Sequence, residues 1–314
     1  MENGPEIIEI TSAYDFFKTV HHKNKQRLNN GERSFIQYFR GQSNCEWGVT
    51  PLIHRAPEFT LFEYEKEMVE DFISRRPAEF KDIENSFNLI AKMQHYGLAT
   101  RLIDMTTNPA VSLFFVCYHH FDRDGEVYLF NTVQEDILSP RVLNMIVEFY
   151  LNEKESGYNL LSYYRLCAGR YHQEEIRKGF FFLVNNSPMA AITERVSERM
   201  IRQSSMFIIV PFHAENKDNN PDDLKHLFLD RQWTGLEKYI ENTSITPRID
   251  DIRDYLLKYH QDGRRFIVKA ENKQEILREL KTIGIYEALI FPELEYEGKG
   301  IVNEYLNLTE QTTI

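Results

Sequence analysis

Two short stretches of this 314-residue chain hold side chains of the right types and spacing to do chemistry. In Tyr38-Phe39-Arg40-Gly41-Gln42 an arginine and a glycine directly follow the short β-like run Ser34 to Phe39. A guanidinium at a strand end presents a rigid fork of donors to an anion, and a neighbouring glycine lets a ligand come close to the backbone. The alternative for Arg40 and Gly41 is a salt bridge and a turn. The second stretch, Met93 to Pro109, packs His95, Arg101, Asp104, Thr106, Thr107 and Asn108 between two apolar helical segments. Burying so many hydrogen-bonding groups is costly unless they bond one another or a ligand. A purely structural account is also open: Asp104 or Asn108 caps the next helix, Arg101 pairs with Asp104, and His95 bonds a backbone group. Further on, Arg195, Arg199 and Arg202 fall at spacings of four and three, hence on one helical face able to grip phosphates. Glu198 precedes Arg202 by four residues, so surface ion pairing is the expectation for Arg195 and Arg202.

The elements that must position these residues are legible from periodicity and turn signals. A strand at Glu6 to Ile10 leads, through a Thr11 or Ser12 cap, into a helix to about Lys23, and Asn29-Asn30-Gly31 turns before the arginine strand. Helices are expected at Leu61 to Arg75, ended near Pro77, and from Asn85 to Tyr96, stopped by Gly97. Pro109 to Phe121 reads as a buried helix, and Asp124-Gly125 turns into a strand at Glu126 to Asn131. Pro140 to Tyr164 looks helical, and Phe180 to Val184 reads as a short buried strand or extended run. Ser187-Pro188 opens a helix to Gln203. Strands follow at Met206 to Phe212 and Phe266 to Ala270, with a helix near Asp250 to His260 between them. A last helix, Lys273 to Ile283, leads to a strand at Ala288 to Pro292. The polar stretch from His213, within about 213–260, is the expected insertion, and no clear linker divides the chain, so a single domain over 1–314 is expected.

Composition narrows the function classes. A net charge of -11 disfavours a general nucleic-acid binder while leaving room for a local basic groove. Cys45, Cys117 and Cys167 have no metal-ligand spacing and form no disulfide framework, which fits a reducing cytoplasm. No metal site is expected, since His119 and His120 are adjacent and their side chains diverge. Tyr163-Tyr164 and Phe180 to Phe182 read as core. The first six residues are acidic, with no apolar signal core, and no run approaches the roughly 18 apolar residues that span a bilayer. A cytoplasmic protein without membrane contact is expected.

Tyr38-Phe39-Arg40-Gly41-Gln42, then Trp47, Pro51-Leu52 and Arg55, then Met93 to Pro109 with its apolar helix, resemble the FRG-domain family, named for an aromatic-Arg-Gly run. The resemblance is strongest over about 35–131. Arg199, Gln203 and Phe207 are similar to later family positions, as is Ile290-Phe291-Pro292-Glu293-Leu294. The chain departs from the family at Ala99, where proline is usual, at Met105, where tryptophan is usual, and at Ser205, where glycine is usual. The family occurs in bacteria and phages and in defence or toxin-like settings, which implies a bacterial or phage-encoded effector with a neutralising antitoxin protein as partner.

The order of elements is also similar to the NAD-using ADP-ribosyltransferase fold, implying an α+β fold with a split, mainly antiparallel sheet flanked by helices, completed by residues 132–314. On that resemblance NAD is the cosubstrate and RNA, DNA or protein the acceptor. Arg40 would bind the ribose or pyrophosphate, with Gly41 allowing close approach and Gln42 holding the neighbouring turn. Asp104, Thr106 and Thr107 would line the nicotinamide side, with His95, Arg101 and Asn108 also in the pocket and Arg199 on the phosphates. Gln203 stands where a ribose-facing carboxylate would be expected, and glutamine cannot act as a general base. Asp104 or Glu293 could supply that carboxylate. Two rivals remain open: a nucleotide sensor without catalysis, and a nuclease or hydrolase using Asp104 and His95.

Overall fold

The computed structural model describes residues 4–29, 31, 36–55, 61–132, 137–152, 169–184, 188–191, 198–210, 212–216, 243–247 and 251–292, with Tyr163, Arg165 and Cys167. Its centre is one seven-stranded, mostly antiparallel sheet in the order β1-β9-β4-β2-β3-β6-β5. The strands are β1 (Glu6–Glu9), β2 (Ile36–Gln42), β3 (Leu102–Thr106), β4 (Gly125–Thr132), β5 (Met189–Ala191), β6 (Ser205–Ile209) and β9 (Arg264–Val268). Among the described strands β1 and β9 pair in parallel and the other pairs are antiparallel. A separate antiparallel pair is formed by β7 (Phe212–Asn216), at the start of the expected insertion, and β8 (Thr243–Pro247), within it.

β4 lies inside the sheet, between β9 and β2, because it is apolar on both sides. Val127 and Leu129 face one cluster, and Tyr128 and Phe130 face another. On the first face, α1 (Ala13–Asn29), α5 (Pro109–Cys117) and α10 (Lys273–Thr282) bury Phe16, Val111, Phe114, Ile276 and Leu280 against Phe39 and Val127. On the same face, beyond β2, α2 (Glu65–Arg75), α3 (Pro77–Phe80), α4 (Ser86–His95), α6 (Pro140–Asn152) and α7 (Gln173–Val184) cover Leu102, Phe207 and Ile209. The opposite face carries α9 (Arg253–His260), with Leu256 and Ile252 against Tyr38, Ile103, Met105 and Tyr128. Two short helices complete the described residues, α8 (Glu198–Arg202) and α11 (Glu287–Ile290). No helix among the described residues is long and apolar enough to cross a membrane.

Several boundaries fall where local chemistry places them. Ser12 Oγ accepts from the Asp15 amide at 3.0 Å, Asn85 Oδ1 from Phe87 at 2.9 Å, and Asn108 Oδ1 from Ala110 at 2.9 Å, each capping a helix start. Pro109 takes the first helical position, and Gly97 and Gly284 adopt positive φ after α4 and α10.

Four expectations are corrected. Phe180 to Val184 lies in α7, because Ile176, Gly179, Phe182 and Leu183 form a buried stripe at helical spacing. Met189–Ala191 is a strand rather than the start of a helix to Gln203, since pairing with β6 buries Ala190 and Ala191 completely. Leu102–Thr106, expected only as part of the polar stretch between two helices, is a strand paired over five residues with β6. The segment Glu287–Ile290 is a helical turn rather than a strand. Tyr164, Ser187, Arg195 and Glu293 lie outside the described residues.

Candidate functional site

The joint between β2 and β3 is the thinnest in the sheet. β2 pairs with β4 through seven residues and β3 with β6 through five, but β2 and β3 share the single pair Phe39↔Thr106. Beyond that pair the strands part, and the two helical groups on the first face also separate, one led by α5 and the other by α4. A cavity of about 260 Å³ lies over the seam.

Arg40 stands at the joint. Strand alternation directs it with Tyr38 towards the α9 face, yet Arg40 also lines the cavity. There Nη1 donates to the backbone carbonyl of Asp104 at 2.8 Å, standing in for a missing ladder bond. Its Nε is buried without a hydrogen-bond partner. Burial pushes the Arg40 pKa down to about 10, opposed by the nearby negative charge of Asp104, so the group stays cationic at neutral pH. Burial lowers Arg55 too, again against the field of Asp104. The Asp104 carboxylate itself makes no hydrogen bond or ion pair among the described residues. It is exposed into the cavity between buried strand neighbours.

The floor and walls follow from register. Thr106 faces the seam beside Asp104, its hydroxyl donating to the Gln203 carbonyl at 2.7 Å and accepting from the Asn108 amide at 3.0 Å. This ties the end of β3 to the end of α8. From α8 come Arg199, whose guanidinium lies 4.8 Å over the Phe291 ring, and from just beyond it Gln203, whose Nε2 donates to the Ile290 carbonyl at 3.2 Å. His95 enters from the end of α4. Phe39, Val111 and Phe115 form an apolar side.

The cavity therefore brings together Arg40, Gly41, His95, Asp104, Thr106, Arg199 and Gln203 of the expected residues. Gln42, Arg101, Thr107 and Asn108 are elsewhere. Gln42 Nε2 donates to the Gly48 carbonyl at 3.1 Å and holds the neighbouring turn. Arg101 does not pair with Asp104. It is buried against Glu65, Nε to Oε2 at 2.5 Å, with its guanidinium 4.4 Å over the Tyr150 ring, because β3 begins there and the side chain points into the α2–α6 core. Thr107 is exposed, and its amide donates to Ser204 at 3.2 Å. Asn108 is spent on capping α5.

The role expected for Gly41 also changes. A Cβ there would stand 1.9 Å from the Ser112 carbonyl oxygen, so the close approach it permits is that of α5, not of a ligand. Sequence reasoning missed Gln94, Ser112 and Ser205 as polar lining. Ser112 carried a signal, as the polar residue in the otherwise apolar Pro109–Cys117 helix; Gln94 carried none, being one polar residue among several near a helix end.

The two α8 arginines part as their neighbours dictate. Arg202 pairs with Glu198 at 2.7 Å on the surface, whereas Arg199 turns to the cavity.

Residues 36–125 match the FRG domain family. The matched FRG segment contains β2, α4, β3 and α5, hence Arg40, His95, Asp104 and Thr106. Arg199 and Gln203 come from outside it, so the cavity is completed by the later part of the chain. No curated protein and no solved structure matches the chain.

Proposed function

We propose that the cavity binds NAD and that the protein transfers ADP-ribose from it to a macromolecular acceptor. The observation that carries this reading is the unpartnered Asp104 carboxylate beside the Arg40 guanidinium in one cavity. Cleaving the bond between ribose C1′ and the nicotinamide nitrogen builds positive charge on the ribose. A fixed carboxylate beside that carbon favours the transition state over the ground state. The bonding pair leaves with nicotinamide, an acceptor oxygen or nitrogen bonds to C1′, and the acceptor's proton passes to Asp104 or His95. Arg40 and Arg199 hold the pyrophosphate, and Phe39, Val111 and Phe115 receive the nicotinamide ring. Gln203 has its Nε2 committed to Ile290, which leaves Oε1 to accept from a ribose hydroxyl.

The volume is near the lower end for small-molecule sites, so the nicotinamide riboside half occupies it and the adenosine half runs along the mouth. The acceptor is RNA, DNA or protein. On this reading, which the FRG resemblance supports, the protein is a bacterial or phage-encoded defence effector held in check by a neutralising protein.

Incubation of the protein with adenylate-labelled NAD and separate pools of RNA, DNA and cell protein tests this. Label on one pool with nicotinamide release, lost in Arg40→Ala and reduced at least tenfold in Asp104→Asn, is expected. NAD binding without nicotinamide release would instead establish a sensor, which the uncharged Gln203 favours. Metal-dependent cleavage of nucleic acid without NAD would establish a nuclease.

A further inference from the structure

We infer that the C-terminal turn Tyr286–Phe291 is a positioning device for the cavity, with Phe291 orienting Arg199 and the Ile290 carbonyl orienting Gln203. The inference rests on reading the cavity as an anion site. Phe291 is buried, and the Arg199 guanidinium lies 4.8 Å over its ring. The same ring meets Phe115 on α5 edge-on at 6.1 Å and Tyr118, just past the end of α5, at 5.5 Å, and Tyr118 Oη donates to the Glu287 carboxylate. One residue earlier the Ile290 carbonyl takes the Gln203 amide. The turn thus bridges the α5 wall and the α8 wall, elements that no strand pairing joins.

A guanidinium held over an aromatic face is confined to few rotamers with its fork of donors parallel to the ring, whereas unsupported it would sample many. Phe291 touches no ligand on this account; it acts through Arg199. The amide of Gln203 is likewise fixed so that its oxygen, not its nitrogen, remains for the cavity. An FRG segment ending at residue 125 would hold the α5 wall but lack both the α8 wall and the turn that joins them.

A double-substitution cycle on the full chain tests this, with ADP-ribose and, separately, inorganic pyrophosphate as probes in calorimetry. Phe291→Leu removes the ring while keeping an apolar side chain, and should weaken binding about fivefold, the equivalent of one cation–π contact. Phe291→Tyr keeps the ring and should bind within about twofold of the parent. In an Arg199→Gln background, Phe291→Leu should cost nothing further, which a merely structural role would not produce. Phe291→Met replaces Phe291→Leu in the cycle should that variant unfold.

Unchanged binding in Phe291→Leu, or losses that add fully with Arg199→Gln, would overturn the inference. Binding of pyrophosphate but not ADP-ribose would refute the NAD reading while the pyrophosphate cycle still decides the role of Phe291. A folded protein that binds neither probe overturns both.

Discussion

Replacing Gly41 by alanine separates two accounts of the glycine that follows Arg40. The new Cβ would lie 1.9 Å from the Ser112 carbonyl oxygen, 2.9 Å from its carbonyl carbon and 3.0 Å from Val116 Cγ2. The first contact is about 1.5 Å inside ordinary van der Waals range, and the obstacle is helix backbone, which cannot turn aside as a side chain can. Helix α5 has no free direction to move, since Val111, Leu113, Phe114 and Val116 are all buried and a second glycine, Gly125, also meets Val116 closely. Overpacking a core that can adjust costs about 1–3 kcal/mol, so about 3 kcal/mol is expected here. Urea unfolding followed by far-UV circular dichroism, with the slope checked for constancy, measures it. Gly97→Ala is the control: nothing obstructs its Cβ, but φ of +94 disfavours a side chain, for a loss of about 1 kcal/mol. If Gly41→Ala loses less than about 0.5 kcal/mol and yet abolishes anion binding, the glycine serves the ligand and the packing argument is wrong.

Other consequences follow from named contacts. Glu65→Gln strips the buried Arg101 of its countercharge and should cost about 3–5 kcal/mol in urea unfolding, while Glu65→Leu with Arg101→Met should cost less than the two single changes combined. Burial, helped by the charge of Arg101, pushes the His54 imidazole down to about 4 from 6.5. Its folded pKa lies below its unfolded one, so its contribution to stability is present above about pH 6.5 and is lost as pH falls towards 4. An NMR titration placing His54 above pH 6 would contradict this environment. Arg202→Ala should change stability by no more than about 0.5 kcal/mol and leave pyrophosphate affinity intact, whereas Arg199→Ala should weaken that affinity at least fivefold in calorimetry.

What the sequence made legible was chemistry carried by local rules. Asn108 followed by Pro109 announces a helix start whatever the tertiary context, and Gly97 and Gly284 announce helix ends. The aromatic-Arg-Gly run and the polar stretch around Asp104 marked both residues as candidates, but their meeting is set by the single β2–β3 pair. The partner of Arg101 was not foreseeable: Glu65 is 36 residues away on a helix rich in equivalent glutamates, and only packing selects one of them. β3 was hidden for a related reason. Leu102, Ile103 and Met105 are buried on both faces, so the two-residue alternation that marks a half-exposed strand is absent. The aromatic run in α7 misled in the opposite direction, because β-favouring residues stood at the buried end of a helical stripe.

The cavity itself arises from a competition between pairing and packing that no single segment encodes. Antiparallel strands meeting at Phe39↔Thr106 would ordinarily continue to pair towards Asp104. Instead Gly41 draws α5 against β2 and α4 follows β3 towards the α6 core, so the two helical groups pull apart over the same joint. The backbone carbonyl exposed by that parting is met by Arg40, and the carboxylate on the same residue is left facing open space. An arginine here thus has two tasks, closing the sheet and charging the cavity, and a lysine could do only the second, having no planar fork to bridge the gap. Arg40→Lys should therefore bind pyrophosphate within about tenfold of the parent while unfolding at lower urea, by about 1.5–3 kcal/mol for the lost charge-assisted bond. Equal loss of both properties in Arg40→Lys and Arg40→Ala would mean that the guanidinium geometry serves the ligand directly and that the joint is closed by something else.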